Sequence, residues 1–475
     1  MWAADPSDLM LLGIDRASPV PVLRQLYLGI RQSILDGHLP PGARLPPSRA
    51  LAQRLGLARN TVVAAYEQLI AEGFAEGRTG AGTEVSRTLP QAVEAPSRPT
   101  AAPDGPIPGD GPHGTAPFTT GRVDWDARSR KVWRGLMLRH LDAVDDGMLG
   151  YGDPRGSPKL REAVAAYLRA ARAVRCEADQ VVVTAGAQQA IDLVLRAVLR
   201  PDDAVWMEDP GYPAVRAAMV AAGAAVASVP VDGQGLDVAA GVAAAPQARL
   251  AYVTPSSQYP LGVVLSMARR LELLAWARRA GAWVLEDDYD SEFRYAGRPL
   301  AALQGIDEAG RVIYVGSFSK VLFPGLRLGY AVLPPGLRDA VLTARLRSDW
   351  HPPTLAEGVV ADFLAEGHFA QHLRRMRLNY RAARDALAAA LRDRLGDVLE
   401  VAVPEQGLKL LARPKDGRCD LAMAAAAARR GLTLRAVSPM YRAAAPQPAL
   451  MLGFSGHSPG ALRWAVEELA LALAG

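Results

Sequence analysis

From Gln180 onward, short apolar runs alternate with stretches of helical periodicity, and this alternation limits the possible folds more than any other feature. Gln180-Val-Val-Val-Thr184 precedes a helical pattern over 188–199, and Ala204-Val-Trp-Met207 precedes one over 212–222. Leu250-Ala-Tyr-Val253, Trp283-Val-Leu-Glu286 and Arg311-Val-Ile-Tyr-Val315 follow, most with helices between them. Strands this short, separated by helices, predict an α/β domain with a doubly wound, mostly parallel sheet. Ligands of such sheets sit beyond the carboxyl ends of the strands. The most apolar run, 217–230, is Ala-rich and shorter than a membrane span, so it predicts a packed helix leading into a strand, and no membrane partner is expected.

The strand ends carry chemically distinctive residues. Only five of the 54 basic residues are lysines, and one of them, Lys320, lies in Val315-Gly-Ser-Phe-Ser-Lys-Val-Leu-Phe-Pro-Gly-Leu-Arg-Leu-Gly-Tyr330. Arg cannot form an imine, because its guanidinium stays protonated. A Lys kept beside an apolar strand and a Gly-rich exit is either a Schiff-base lysine or a surface lysine that escaped replacement. Ala185-Gly-Ala-Gln-Gln-Ala190 is a small-residue turn opening a helix, which suits an anion but also suits any tight strand-to-helix turn. Asp287 and Tyr289 are two apart at a strand end, so in extended chain they share a face. Together these residues match an aldehyde cofactor that has a pyridine ring and a phosphate. Lys320 supplies the amine, Asp287 a carboxylate for the ring nitrogen and Tyr212 an aromatic face, while Ser317, Ser319, Arg327, Gly186 and Ala187 supply phosphate contacts.

Residues 16–88 have a different character. Apolar residues at Leu23, Tyr27, Ile30 and Ile34 predict a helix, Ser48 is placed as the N-cap of a second, and 59–70 form a third with Val62, Tyr66 and Leu69 on one face. Residues 74–85 read as a hairpin with a Gly-rich tip. The order predicts a winged helix-turn-helix. The chain's net charge is only +5, but six arginines and a single acid, Asp36, fall between Arg24 and Arg59, a local field suited to double-stranded DNA. Leu39-Pro-Pro-Gly-Ala-Arg-Leu-Pro-Pro-Ser-Arg-Ala-Leu-Ala, Ala58-Arg-Asn-Thr-Val-Val-Ala-Ala-Tyr-Glu-Gln-Leu and Glu72-Gly-Phe resemble the DNA-binding domain of GntR-family regulators. The resemblance implies DNA contacts from Arg44, Ser48, Arg49, Arg59, Asn60 and Thr61, and from the wing near Gly80 and Gly82. Ala58 and Pro47 depart from the family, which usually has Ser at both positions.

Residues 89–120 are dense in Pro, Gly and Ala and predict an extended spacer before a domain over 121–475. Cys176 and Cys419 are far apart and have no ligand pattern around them, so neither a disulfide framework, a zinc site nor any other metal is indicated, and a reducing cytoplasm is expected. Tyr151-Gly-Asp-Pro-Arg-Gly-Ser-Pro-Lys-Leu-Arg, Glu208-Asp-Pro-Gly-Tyr-Pro, Thr254-Pro-Ser-Ser-Gln-Tyr-Pro-Leu-Gly, Glu286-Asp-Asp-Tyr-Asp-Ser-Glu-Phe-Arg-Tyr and Ser317-Phe-Ser-Lys resemble the fold-type I, aspartate-aminotransferase-like pyridoxal phosphate enzymes. With the GntR-like head, the whole chain resembles the MocR subfamily of regulators.

That resemblance implies a pyridoxal 5'-phosphate cofactor bound as a Schiff base to Lys320. Asp287 pairs with the pyridine nitrogen, Tyr289 binds the ring hydroxyl and Tyr212 stacks. Gly186, Ala187, Ser317, Ser319 and Arg327 hold the phosphate, and in a homodimer Tyr151 reaches the phosphate of the other subunit. The implied function is a transcriptional regulator sensing the cofactor, an amino compound, or both; the alternative is a working aminotransferase with an accessory head. Three positions bear on that choice. Ser257 stands where many MocR proteins have His, and Met451 stands where aminotransferases carry the Arg that grips the substrate carboxylate, a task left to another Arg such as Arg442. Lys409 is a contact to the cofactor or effector or, as the favoured reading, a solvated strand residue.

Overall fold

The computed structural model describes residues 14–78, 82–89, 114–144, 149–297 and 300–474. The chain divides into two compact units, Met1–Gly105 and Pro106–Gly475.

In the first unit, α1 (Val22–Leu35), α2 (Ser48–Leu55) and α3 (Arg59–Ala71) precede a hairpin of β1 (Ala75–Arg78) and β2 (Gly82–Val85). Leu26, Ile30, Leu51, Val62, Tyr66 and Leu69 recur at helical spacing and meet in one apolar core. Leu45 N–H donates to the Thr83 carbonyl and Val85 N–H to that of Ala43, so the strand before α2 lies along the hairpin. This is the winged helix-turn-helix expected. Ser48, however, is the first residue of α2 rather than its cap, because Pro47, at φ −53° and ψ 136°, takes the extended cap position itself. Ala58 caps α3 without any side-chain hydrogen bond.

The second unit is built on an eight-stranded sheet. Its strands are β3 (Val181–Thr184), β4 (Ala204–Asp209), β5 (Ala225–Asp232), β6 (Gly235–Leu236), β7 (Leu250–Val253), β8 (Trp283–Asp288), β9 (Val312–Ser317) and β10 (Gly329–Val332), in the order β3-β10-β9-β8-β7-β4-β5-β6. The run β9-β8-β7-β4-β5 is parallel. The central strands are buried along their length, which is why they read as continuous Val/Ile/Leu runs. The antiparallel β10, inserted between β3 and β9, was not expected from the sequence. Its four residues follow the Gly-Leu-Arg-Leu exit, where a 3-10 turn over Pro324–Leu326 reverses the chain. A second, antiparallel sheet joins β11 (Leu399–Ala402), β12 (Lys409–Pro414), β13 (Arg435–Ala436) and β14 (Leu450–Gly453) in the order β11-β12-β14-β13. Among the described residues no helix is long and apolar enough to cross a membrane.

Most of the expected spacer, 90–113, lies outside the described residues. Its last residues belong to the second unit: Phe118 is fully buried in the core, and its carbonyl accepts from Gly453 N–H at 2.9 Å. A Pro-rich stretch stops acting as a spacer where an aromatic side chain finds a core to enter.

Ala58→Ser supplies the side-chain oxygen that α3 lacks. The first unit should gain about 0.5–2 kcal/mol, seen as a higher midpoint for its transition in thermal unfolding of the full chain. An unchanged or lower midpoint would show that the helix start is already satisfied.

Candidate functional site

A cavity of about 800 Å³ opens where the carboxyl ends of β8 and β9 approach the second sheet. Lys320 follows β9 by three residues and lines it. Gly121 packs directly on the Lys320 amine, and a Cβ there would collide with Nζ; its φ of +76° disfavours a side chain as well. Burial first, then the Arg435 charge, push the Lys320 ammonium below its usual range, while Asp290 and Asp287 oppose this.

Period-two alternation sorts the acids at the end of β8. Glu286 and Asp288 face one side: Glu286 accepts from the N–H groups of Leu303 and Gln304 at 2.8 Å, and Asp288 pairs with Arg172 at 2.9 Å and with the Tyr314 hydroxyl at 2.6 Å. Asp287 and Tyr289 face the other side and line the cavity. Tyr252 donates to Asp287 Oδ2 at 2.7 Å, while the buried Oδ1 has no hydrogen-bond partner within the chain. Burial pushes the Asp287 carboxyl up to about 6 against the opposing Tyr252 hydrogen bond.

At one end of the cavity, Ala187 and Gln188 open the helix Ala187–Val198, with Gly186 at φ +98° before them. The Arg327 guanidinium donates to the Ala185 carbonyl at 2.9 Å and would lie 3.1 Å from any Cβ at Gly186. Ser319 N–H donates to Ser317 Oγ at 3.1 Å, and both serines line the cavity. Helix N–H groups, two hydroxyls and a guanidinium make an anion cradle. Tyr212 lines the adjacent wall, edge-on to Tyr259 with ring centroids 5.2 Å apart.

Eight of the sequence-predicted residues therefore line one cavity, and Gly186 adjoins it. Tyr151 does not line it; its ring is 86% exposed, 5.7 Å from that of Trp350. Two expectations, on Lys409 and Arg442, need correction. Lys409 is buried, not solvated: its amine donates to the Tyr289 hydroxyl at 2.8 Å and lies 4.9 Å from the Tyr259 ring centroid. Burial pushes this amine down and the nearby Asp290 carboxyl up, each offset by the other's charge. Ser257 sits 3.4 Å from the same Tyr289 hydroxyl, and its short side chain leaves that oxygen to Lys409. Arg442 does not line the cavity; its backbone N–H is held by Asp209 at 2.7 Å. The arginine that does line it from this region is Arg435, on β13 directly opposite Met451. Arg435, Lys409 and Tyr252 lay beyond sequence reasoning, and only the scarcity of lysine pointed to one of them.

In the first unit, Arg44, Arg49, Arg59 and Asn60 are exposed, and Ser48 and Thr61 are half-buried around the start of α2 and α3. Gly82 is exposed at φ +91°, while Gly80 lies outside the described residues.

Residues 126–464 match the aminotransferase class I and II family, and residues 23–85 match the gntR family of bacterial regulatory proteins. The chain is 38% identical to the probable rhizopine catabolism regulatory protein MocR of Rhizobium meliloti, over 97% of this chain and 95% of that one. It is 31% identical to the pyridoxine biosynthesis transcriptional regulator PdxR of Corynebacterium glutamicum, over 96% and 97%. The kynurenine aminotransferase of Pyrococcus horikoshii, solved in complex with PMP, is similar in structure at a TM-score of 0.69 and 26% identity, covering 75% of this chain and 90% of that one.

The raised acids set a pH dependence. Asp287 moves from 3.8 to about 6, and burial likewise moves Glu208 from 4.5 to about 7. Between those limits the folded chain binds more protons than the unfolded one, so stability falls as pH rises. In cofactor-free protein, Asp287→Asn should gain about 1–3 kcal/mol relative to the wild type between pH 4 and pH 7. Urea unfolding at both pH values measures this; parallel pH dependence of the two proteins would show that Asp287 ionises without penalty.

Proposed function

This chain belongs to the MocR-type regulators, a gntR-family DNA-binding unit joined to an aminotransferase class I and II unit, and from that premise we propose that it is a transcriptional regulator carrying pyridoxal 5'-phosphate on Lys320 and responding to this cofactor, an amino compound, or both. The observation that carries the cofactor is the Asp287 carboxylate: one oxygen is held by Tyr252, and the other is buried, unpaired and at the cavity wall. A protonated ring nitrogen is the partner such an oxygen lacks. Pyridoxal phosphate supplies an aldehyde that condenses reversibly with primary amines.

Lys320 is the amine that attaches the cofactor, and its lowered ammonium pKa leaves more of it in the nucleophilic form. Asp287 would hold the ring nitrogen, Tyr289 the ring hydroxyl and Tyr212 the ring face. Ser317, Ser319, Arg327 and the backbone at Gly186 and Ala187 take the phosphate. Tyr151, exposed on its own chain, serves the phosphate site of a second subunit in a homodimer.

The DNA-binding unit spans 16–88, and its exposed Arg44, Arg49, Arg59 and Asn60 meet phosphates and base edges of duplex DNA in the cytoplasm. A dimer matches an operator with two half-sites. For a ligand to regulate it, that ligand must bind the DNA-competent state with a different affinity from the other state, since equal affinities shift nothing.

Two measurements test this reading. With pyridoxal phosphate added, wild type should show a visible absorption band that Lys320→Ala lacks; uptake by neither protein removes the cofactor from the proposal. On the gene's own upstream DNA, Arg59→Ala should weaken binding and lower the slope of log affinity against log salt by about one. An unchanged affinity and slope would take Arg59 off the DNA.

A further inference from the structure

Two of the chain's five lysines line the cavity, Lys320 and Lys409. The cofactor reading uses the first and leaves the second without a task. Lys409 opens β12, and the turn before it is tied to the segment that follows β8. Gly407 N–H donates to the Phe293 carbonyl at 2.9 Å, and the Tyr295 hydroxyl donates to the Gly407 carbonyl at 2.8 Å. Tyr295 N–H donates to the Glu405 carbonyl at 2.8 Å. Gly407 stands at φ +89°, and a Cβ there would lie 3.0 Å from Asp290 Oδ2. Backbone held from both sides therefore delivers Lys409 to the cavity wall.

The Lys409 ammonium lies 4.9 Å from the Tyr259 ring centroid and 5.0 Å from that of Tyr289, and it donates to the Tyr289 oxygen at 2.8 Å. An ammonium has three donors and no acceptor. The Tyr289 oxygen accepts this bond, so its own proton must point elsewhere. Ser257 Oγ, at 3.4 Å, is farther than the roughly 2.5–3.0 Å of an O–H···O bond. The open direction is the cavity, which Tyr289 lines. Asp290 is 1% exposed, its Oδ2 has no hydrogen-bond partner, and its charge favours the protonated form of Lys409. The other titratable and charged groups at this corner are Lys320 after β9, Tyr259 after β7 and Arg435 on β13, and the Lys320 charge opposes that of Lys409.

We propose that Lys409 is a positioning residue: by donating to the Tyr289 oxygen it turns the Tyr289 O–H into the cavity, as a donor to the ring oxygen of bound pyridoxal phosphate. This rests on the cofactor reading above. Donation to the ring oxygen makes it a weaker base, and a nearby positive charge acts in the same sense. The proton shared between that oxygen and the Lys320 nitrogen then leaves at lower pH.

The test is a pH titration of the visible band, in the full chain at saturating pyridoxal phosphate. It compares wild type, Lys409→Met, Lys409→Arg, Tyr289→Phe and the double variant of Lys409→Met with Tyr289→Phe. Lys409→Met should raise the midpoint by about one pH unit or more, and Lys409→Arg, which keeps a charged donor, should restore most of the wild-type value. Tyr289→Phe should raise the midpoint too, and Lys409→Met in that background should add much less than it does alone. The amplitude of the band reports cofactor uptake, so a variant whose cavity has collapsed is recognised separately from one whose midpoint has moved. Should Lys409→Met take up no cofactor, Lys409→Arg decides: a midpoint at or below that of wild type supports the proposal, and one raised to the level of Tyr289→Phe overturns it. A wild-type midpoint in Lys409→Met overturns it, as do additive shifts in the double variant, which would give Lys409 an effect independent of Tyr289. Absence of uptake by wild type removes the cofactor reading and this proposal together, whereas uptake with an unmoved midpoint removes this proposal alone.

Discussion

The buried ion pair between Arg172 and Asp288, 2.9 Å long, underlies the arrangement of the whole cavity. Strand β8 delivers Glu286, Asp287 and Asp288 in succession to a buried strand end. Three adjacent carboxylates in low dielectric are tolerable only if most of them are satisfied. Arg172 answers Asp288 and also donates to Ser256 Oγ at 2.8 Å, tying β8 to the loop after β7. Backbone N–H groups answer Glu286. Asp287 and Asp288 each keep one buried oxygen without a partner, but only Asp287, turned to the opposite face by the pleat, carries its own to the cavity wall. Of the three acids only Asp287 lines the cavity, and the strand's alternation decides which. Breaking the Arg172 pair would leave Asp288 charged and alone, the costly way to disrupt a buried ion pair.

The cavity joins pieces far apart in the chain. Gly121 comes from the segment before the first helix of the second unit, Lys320 from the end of β9, and Lys409 and Arg435 from the second sheet. The first sheet contributes Lys320, Asp287 and the anion cradle. The second contributes positive charge on the opposite wall. Any ligand of the cavity meets side chains from both sheets.

Much of this was legible in the sequence, and the legible part is local. The run around Lys320 stood out because lysine is scarce, Asp287 and Tyr289 because they are two apart at a strand end, and the helices of the first unit because their apolar residues recur on one face. What escaped depends on pairing over long sequence distances. Tyr252 looks like an ordinary apolar-strand residue until β7 is set beside β8 and its hydroxyl meets Asp287. Arg435 is one arginine among dozens until β13 pairs with β14. Lys409 reads as solvated because β12 carries no local sign of the tyrosines that cover it. Ser48 was misplaced by one residue because Pro46 and Pro47 hold the extended conformation longer than a cap motif requires.

Gly121 has a wider consequence. It lies against the Lys320 amine, three residues after Phe118 anchors the chain in the core. One short stretch therefore performs two tasks: Phe118 anchors the chain in the core of the second unit, and Gly121 lies against the Lys320 amine. A substitution in this stretch therefore acts on the width of the pocket and on the anchoring of the connector together.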